Sequence, residues 1–116
     1  MSVEVSEEVR GMIMQFQAYQ QQSQMITGQK DATKAQIIEI DRTLEELEKA
    51  GDREIYKSVG PILIKTTGEE MKKELSEKKE MLGLRLKTMD SEDKKTREKI
   101  KDLQEKIQGS LSKKQA

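Results

Sequence analysis

One feature constrains this chain more than any other: an unbroken 3-4 spacing of apolar residues through its N-terminal half. The positions are Val5, Val9, Met12, Phe16, Tyr19, Ser23, Ile26, Lys30, Thr33, Ile37, Ile40, Leu44 and Leu47, and ten of these 13 are apolar. A repeat of this kind keeps one narrow stripe on one side of an α-helix. Such a stripe is buried by a partner helix in a left-handed supercoil. The spacing predicts a helix over residues 6–50. Ser6 is suited to cap it, and Glu7 and Glu8 follow in the first turn, where the helix dipole favours acids. Lys49, Ala50 and Gly51 suit its end, with Gly51 able to adopt the left-handed conformation.

A second helix is expected over residues 69–111. Thr67 and Glu70 have the spacing of a capping box. Its seam runs Leu75, Lys79, Leu82, Leu86, Met89, Asp93, Thr96, Ile100, Leu103, Ile107 and Ser110, with seven of 11 apolar. Residues 112–116 are expected to be a frayed tail. Between the helices, residues 53–67 hold two β-prone runs, Ile55–Val59 and Ile62–Thr66, separated by Gly60-Pro61. That pair is a turn signal, so the segment reads as a β-hairpin.

Two helices of about 42–45 residues flank a short hairpin. Each is ~65 Å long at ~1.5 Å per residue. Equal lengths predict that the chain folds back on itself as a long antiparallel two-helix coiled coil. The hairpin then stands at the closed end and both termini at the opposite tip. The fold class is mainly α, in a single unit of residues 1–116. The pairing places the polar seam positions Ser23, Lys30 and Thr33 opposite Met89, Asp93 and Thr96, with Lys30 in reach of Asp90 and Asp93. Polar seam residues fix register at a cost in stability; a flexible waist is the other reading.

The hairpin cannot stand alone. Two strands are marginal in water, and their edges invite pairing. Assembly of hairpins from several subunits into a shared sheet or barrel resolves this. At the tip, Met12, Ile13 and Met14 are consecutive, so only Met12 can occupy the seam. Leu111 lies off the other seam near the same end. Flexible, polarisable Met suits a surface that accepts many apolar shapes; a wider local core or an oligomer contact is the alternative. Off-seam Met25, Met81 and Leu84 are expected to pack against neighbours or to have no role. Six of residues 15–24 are Gln. A solvated helix face accounts for this, and a polar contribution to polypeptide binding is the alternative.

Composition excludes much else. The chain has 116 residues, 33% hydrophobic and 38% charged, with only Phe16, Tyr19 and Tyr56 as aromatics. That is too little apolar material for a compact globule of this size. With no Cys and no His, thiolate or imidazole metal sites and the commonest nucleophile and base are missing. No apolar run approaches a membrane span, and Met1–Arg10 lacks the layout of a secretory signal. A soluble, intracellular protein is expected. The 22 bases balance the 22 acids, which argues against a nucleic-acid binder. No phosphate loop or acid–base constellation points to an enzyme. No metal or cofactor is expected.

These residues resemble a known family. Gln15-Phe16-Gln17 and Gln29-Lys30 in the first helix are similar to prefoldin subunits. So are the central Tyr56-Lys57-Ser58-Val59-Gly60-Pro61-Ile62-Leu63-Ile64-Lys65 and the later Leu82-Gly83-Leu84-Arg85-Leu86-Lys87-Thr88. A single β segment resembles the beta class of archaeal type. The resemblance implies an ATP-independent holdase with two alpha-type and four beta-type subunits, joined through their hairpins in a double β-barrel. Its coiled-coil tips would hold unfolded polypeptides and deliver them to a group II chaperonin in the cytoplasm. Carried onto this chain, Ile55, Tyr56, Val59, Gly60, Ile62, Leu63 and Ile64 would serve oligomerisation. Val9, Met12, Ile13, Met14, Phe16, Ile107 and Leu111 would contact clients. The alternative is a structural coiled-coil adaptor with one defined protein partner.

Overall fold

The computed structural model describes residues 6–115, and the side chains of residues 6–112. The element order is α1 (Glu7–Ala50), β1 (Ile55–Val59), β2 (Ile62–Thr66) and α2 (Gly68–Gln115). Val5, the first position of the sequence stripe, lies outside the described residues. Two units are resolved within the chain. The described parts of Met1–Lys30 and Thr88–Ala116 form a terminal unit, and Asp31–Lys87 form a hairpin unit.

Both helices begin, and α1 ends, for local chemical reasons. The Ser6 hydroxyl accepts a hydrogen bond from the Val9 N–H at 3.2 Å, satisfying one of the donors that an α-helix leaves free at its start. α1 ends at Ala50, followed by Gly51 at φ +59°. That left-handed residue turns the chain at no side-chain cost. α2 starts from Thr67, whose hydroxyl accepts from the Glu70 N–H at 3.1 Å. The capping box is only half closed, because the Glu70 carboxylate accepts from the Thr66 hydroxyl instead, at 3.1 Å. α2 runs on through Gln115, past Leu111. No Pro or left-handed Gly stands there to stop it, since Gly109 is helical.

Within the terminal unit, α1 and α2 run antiparallel. Ser23 and Lys30 of α1 reach Asp93 and Asp90 of α2, while Lys99 lies over the ring of Tyr19, 5.3 Å from its centroid. Within the hairpin unit the sense is the same: Lys79 pairs with Asp41 at 2.6 Å, and Lys72 with Glu48 at 2.6 Å. In both units the 3-4 stripe is the core. Every seam residue of α1 from Val9 to Leu47, and of α2 from Leu75 to Ser110, is buried or half-buried. Most other helix positions are exposed. The most protected apolar residues are Val9 and Ile26 in the terminal unit and Ile40 and Leu82 in the hairpin unit. Even the unpromising Lys79 fits the stripe: its stem is half covered while its ammonium reaches Asp41 at the edge.

The two strands pair antiparallel in the register Ile55↔Thr66, Tyr56↔Lys65, Lys57↔Ile64, Ser58↔Leu63 and Val59↔Ile62. Gly60-Pro61 closes them as a two-residue loop, with Gly60 at φ +56°. Glycine first with positive φ is what a tight type II′ hairpin turn requires.

A seam this narrow makes each buried position costly to empty. Leu82→Ala should lower stability by ~2–4 kcal/mol. Met81→Ala, one residue away but exposed, should change it by less than ~0.5 kcal/mol. Thermal unfolding followed by circular dichroism distinguishes the two.

Candidate functional site

Three places depart from a simple charged coiled coil. The first is the hairpin. Side chains alternate along a strand, so the register puts Ile55, Lys57, Val59, Ile62, Ile64 and Thr66 on one face. Tyr56, Ser58, Leu63 and Lys65 share the other. The first face is apolar but only its root is covered. Ile55 is half-buried beside Gly68, where an added Cβ would lie 3.5 Å from the Ile55 Cδ1. Lys57 forms an ion pair with Glu74 of α2. Beyond that root, Val59, Ile62 and Ile64 are exposed, as are Tyr56 and Leu63, the last at 70%. Two polar residues of the second face are occupied: the Tyr56 hydroxyl donates to Glu54 at 2.9 Å and Lys65 reaches the same carboxylate at 3.3 Å. The sheet has two strands, so each has an unpaired edge. Exposed apolar residues beside open edges make an adhesive surface.

The second place is in the terminal unit. Phe16 and Ile107 lie on the seam and Ile13 flanks it, and all three are half-buried. Together they line a cleft of about 360 Å³ with Gln17, Gln20, Gln104 and Gln108. The remaining residues expected at the tip do not line it. Met14 is 70% exposed, Met12 and Leu111 are half-buried, and Val9 is withdrawn into the seam at 3%. A side chain as covered as Val9 holds the helices together and is accessible only if the pair opens. The sequence reading missed the four glutamines as part of a cleft. The Gln run at 15–24 was visible, but Gln104 and Gln108 join it only through the antiparallel register of α2 against α1.

The third place is a polar layer in the same unit. Asp93, in the seam of α2, is 4% exposed. Lys30 Nζ lies 3.3 Å from Asp93 Oδ2 and 2.8 Å from Asp90 Oδ1. Arg97 Nε lies 3.2 Å from Asp93 Oδ1, and the Ser23 hydroxyl donates to that same oxygen at 3.5 Å. The hydrogen bond to Asp90 is the chief reason that Lys30 holds its proton above its ordinary 10.5; partial desolvation opposes it and Asp93 adds to it. Buried charge is tolerated here because both carboxylate oxygens of Asp93 are satisfied.

With this geometry in view, comparison with known proteins is informative. The profile of the family described as "Prefoldin subunit" matches residues 10–114. A prefoldin subunit beta of Pyrococcus furiosus is 43% identical over 105 residues, covering 90% of each chain. That of Archaeoglobus fulgidus is 38% identical over 110 residues, covering 94% of this chain and 95% of its own. The crystal structure of the prefoldin beta subunit from Thermococcus strain KS-1 superposes with a TM-score of 0.85 at 35% identity, covering 95% of this chain and 97% of that one. Two seamed helices joined through one two-stranded hairpin are thus the fold of a chaperone subunit, not of an enzyme. The chain belongs to the prefoldin family, in its beta-subunit class. Among the described residues no helix is long and apolar enough to cross a membrane.

The polar layer makes two expectations. Replacing a whole buried ion pair by apolar residues of similar size is often neutral or stabilising, by up to ~1–4 kcal/mol, whereas removing one partner alone is destabilising. Lys30→Met/Asp93→Leu should therefore melt no lower than the wild type while loosening the helix register, seen as doubled NMR amide peaks around residues 23–30. The linkage of Lys30 has a definite sign. A raised pKa contributes stability fully below the unfolded value of 10.5 and loses it as pH rises through the folded value. The difference in melting temperature between wild type and Lys30→Met should be constant from about pH 7 to pH 10 and shrink only in stronger alkali.

Proposed function

We propose that this chain is a subunit of an ATP-independent holdase. In this reading it assembles through its hairpin with alpha-type subunits and other copies of itself, two alpha with four beta. The assembled tips keep unfolded polypeptides from aggregating and hand them to a group II chaperonin in the cytoplasm. The observation that carries the reading is the distribution of exposed apolar side chains. In a chain this charged, half of them, Tyr56, Val59, Ile62, Leu63 and Ile64, gather on the hairpin; Met14 stands in the terminal unit beside half-buried Met12, Ile13, Phe16, Ile107 and Leu111, and Met25, Ile38, Met81 and Leu84 lie along the helices.

The hairpin supports assembly because its exposed face and open edges suit strands of the same kind. Val59, Ile62 and Ile64 would be buried between hairpins, with Leu63 and Tyr56 on the second face. Gly60 keeps the loop tight enough for neighbours to pack, and Ile55 fixes the hairpin root against α2. A β-barrel closed in this way removes every edge.

The terminal unit supports client binding because Ile13, Phe16 and Ile107 line one cleft, and Met12, Met14 and Leu111 of the same unit are at least partly accessible. Val9 joins them only when the terminal turns open. One such surface is small, so binding would be weak. Several presented together raise the apparent affinity through effective concentration, without any single strong contact. Weak contacts at each site also allow release to a chaperonin.

The two surfaces should separate genetically. Val59→Ser/Ile62→Ser/Ile64→Ser should abolish the hexamer formed with an alpha-type subunit, measured by analytical ultracentrifugation. An unchanged mass would reject the hairpin as the assembly surface. Ile13→Ser/Met14→Ser/Leu111→Ser should leave that mass intact. It should weaken suppression of aggregation of a chemically denatured enzyme by roughly tenfold or more, since burying one such side chain is worth ~1.5–3 kcal/mol. Suppression at the wild-type level would reject the tip assignment.

A further inference from the structure

We propose that the cleft between Phe16 and Ile107 reads the main chain of an extended polypeptide, through the amides of Gln17, Gln20, Gln104 and Gln108, and does not simply offer an apolar surface. This rests on the client-binding reading above and specifies what that site recognises.

The cleft has a neutral lining in a chain that is 38% charged. Its apolar floor is Ile13, Phe16 and Ile107, and its whole polar rim is glutamine, two residues on each helix. All four glutamines are exposed, and none of the four amides is engaged by another described group. A primary amide carries two donor hydrogens and an acceptor oxygen, so it can pair with either group of a peptide bond. Lys and Glu, which dominate the rest of the surface, offer one kind only.

The spacing fits an extended segment. Gln17 and Gln20 are three residues apart on α1, and Gln104 and Gln108 four apart on α2. Those separations correspond to ~4.5 and ~6 Å along a helix axis. Along one edge of a strand, main-chain groups facing the same way recur every two residues, or ~6.8 Å. Flexible Gln side chains close the difference. A cleft of about 360 Å³ accepts one or two apolar side chains, not a folded surface. The occupant is therefore an unfolded segment with apolar residues alternating into the floor and main-chain groups turned to the rims. Every polypeptide has that main chain, so the reading is indifferent to sequence. A folded protein has already paired those groups internally and is rejected.

The test uses the full chain and a fluorescent 12-residue peptide of alternating Leu and Ser. A second peptide has the same sequence with alternate main-chain nitrogens methylated, so that one edge has no donors. Gln17→Met/Gln20→Met/Gln104→Met/Gln108→Met retains side-chain length and helix propensity while removing the amides. Anisotropy should show the unmodified peptide binding this variant about tenfold more weakly than wild type, the product of a few modest hydrogen bonds. The methylated peptide should bind both proteins equally weakly. Equal or tighter binding of the unmodified peptide to the Met variant would overturn the proposal, because Met enlarges the apolar surface. Ile13→Ser separates the two levels. If it weakens binding while the Met variant does not, only main-chain reading fails. If it has no effect, or wild type binds neither peptide, the cleft is not a client site and both fail. Circular dichroism verifies that each variant keeps its helix content.

Discussion

The structure depends on the burial of one narrow seam. Apolar positions recurring three and four residues apart occupy a single side of α1, and α2 carries the matching stripe. Pairing the two stripes covers both at once with few large apolar residues. A globular core of this chain length would need a wider apolar face on each helix. A two-helix seam needs only two positions in seven. The remaining positions are free to be charged, and the surface is held by edge pairs such as Asp41 with Lys79 and Glu48 with Lys72. Pairs this exposed add little stability. Their value is in agreement with one antiparallel register, since each would be lost on sliding one helix along the other.

The polar layer serves the same end from inside the seam. An all-apolar stripe is permissive, because neighbouring registers bury nearly the same groups. Asp93 is not permissive: moved by one heptad, it would lose Lys30 and Ser23 while remaining covered. Buried and unpaired, it would cost far more than the layer contributes when matched. Register in turn determines the cleft. The cleft exists only because Ile107, Gln104 and Gln108 of α2 come to lie beside Ile13, Phe16, Gln17 and Gln20 of α1.

Much of this was legible in the sequence because a heptad is a local code. Period, caps and turn residues are each read within a few positions, and Ser6, Gly51, Thr67 and Gly60 all act where their chemistry places them. The contact of Lys30 with Asp90 and Asp93 was also accessible, since equal helices around a short hairpin determine who faces whom. The capping box was harder. Its Glu70 carboxylate accepts from the Thr66 hydroxyl and not from the Thr67 N–H that would close the box, and that choice depends on the path of the preceding strand. The glutamine rim was harder still. Seen along the chain, the Gln run on α1 is a good helix-forming, water-compatible face. Nothing in its spacing marks which of its members meet α2.

The scarcity of apolar residues bears on how a surface of this type can be both open and safe. Exposed apolar clusters ordinarily promote self-association. In the hairpin that tendency is suited to use, because strand edges and an apolar face accept only partners of strand form. Around the cleft it is restrained. Ile13, Phe16 and Ile107 are only half exposed, and a neutral amide rim surrounds them. A charged rim would repel or select clients by sequence and respond to salt. A fully apolar rim would bind its own kind. Glutamine does neither: it remains soluble, supports the helix, and pairs with a group that unfolded chains expose and folded chains conceal. On the proposed reading, the same few side chains favour unfolded segments over folded neighbours without a core or a chemical step.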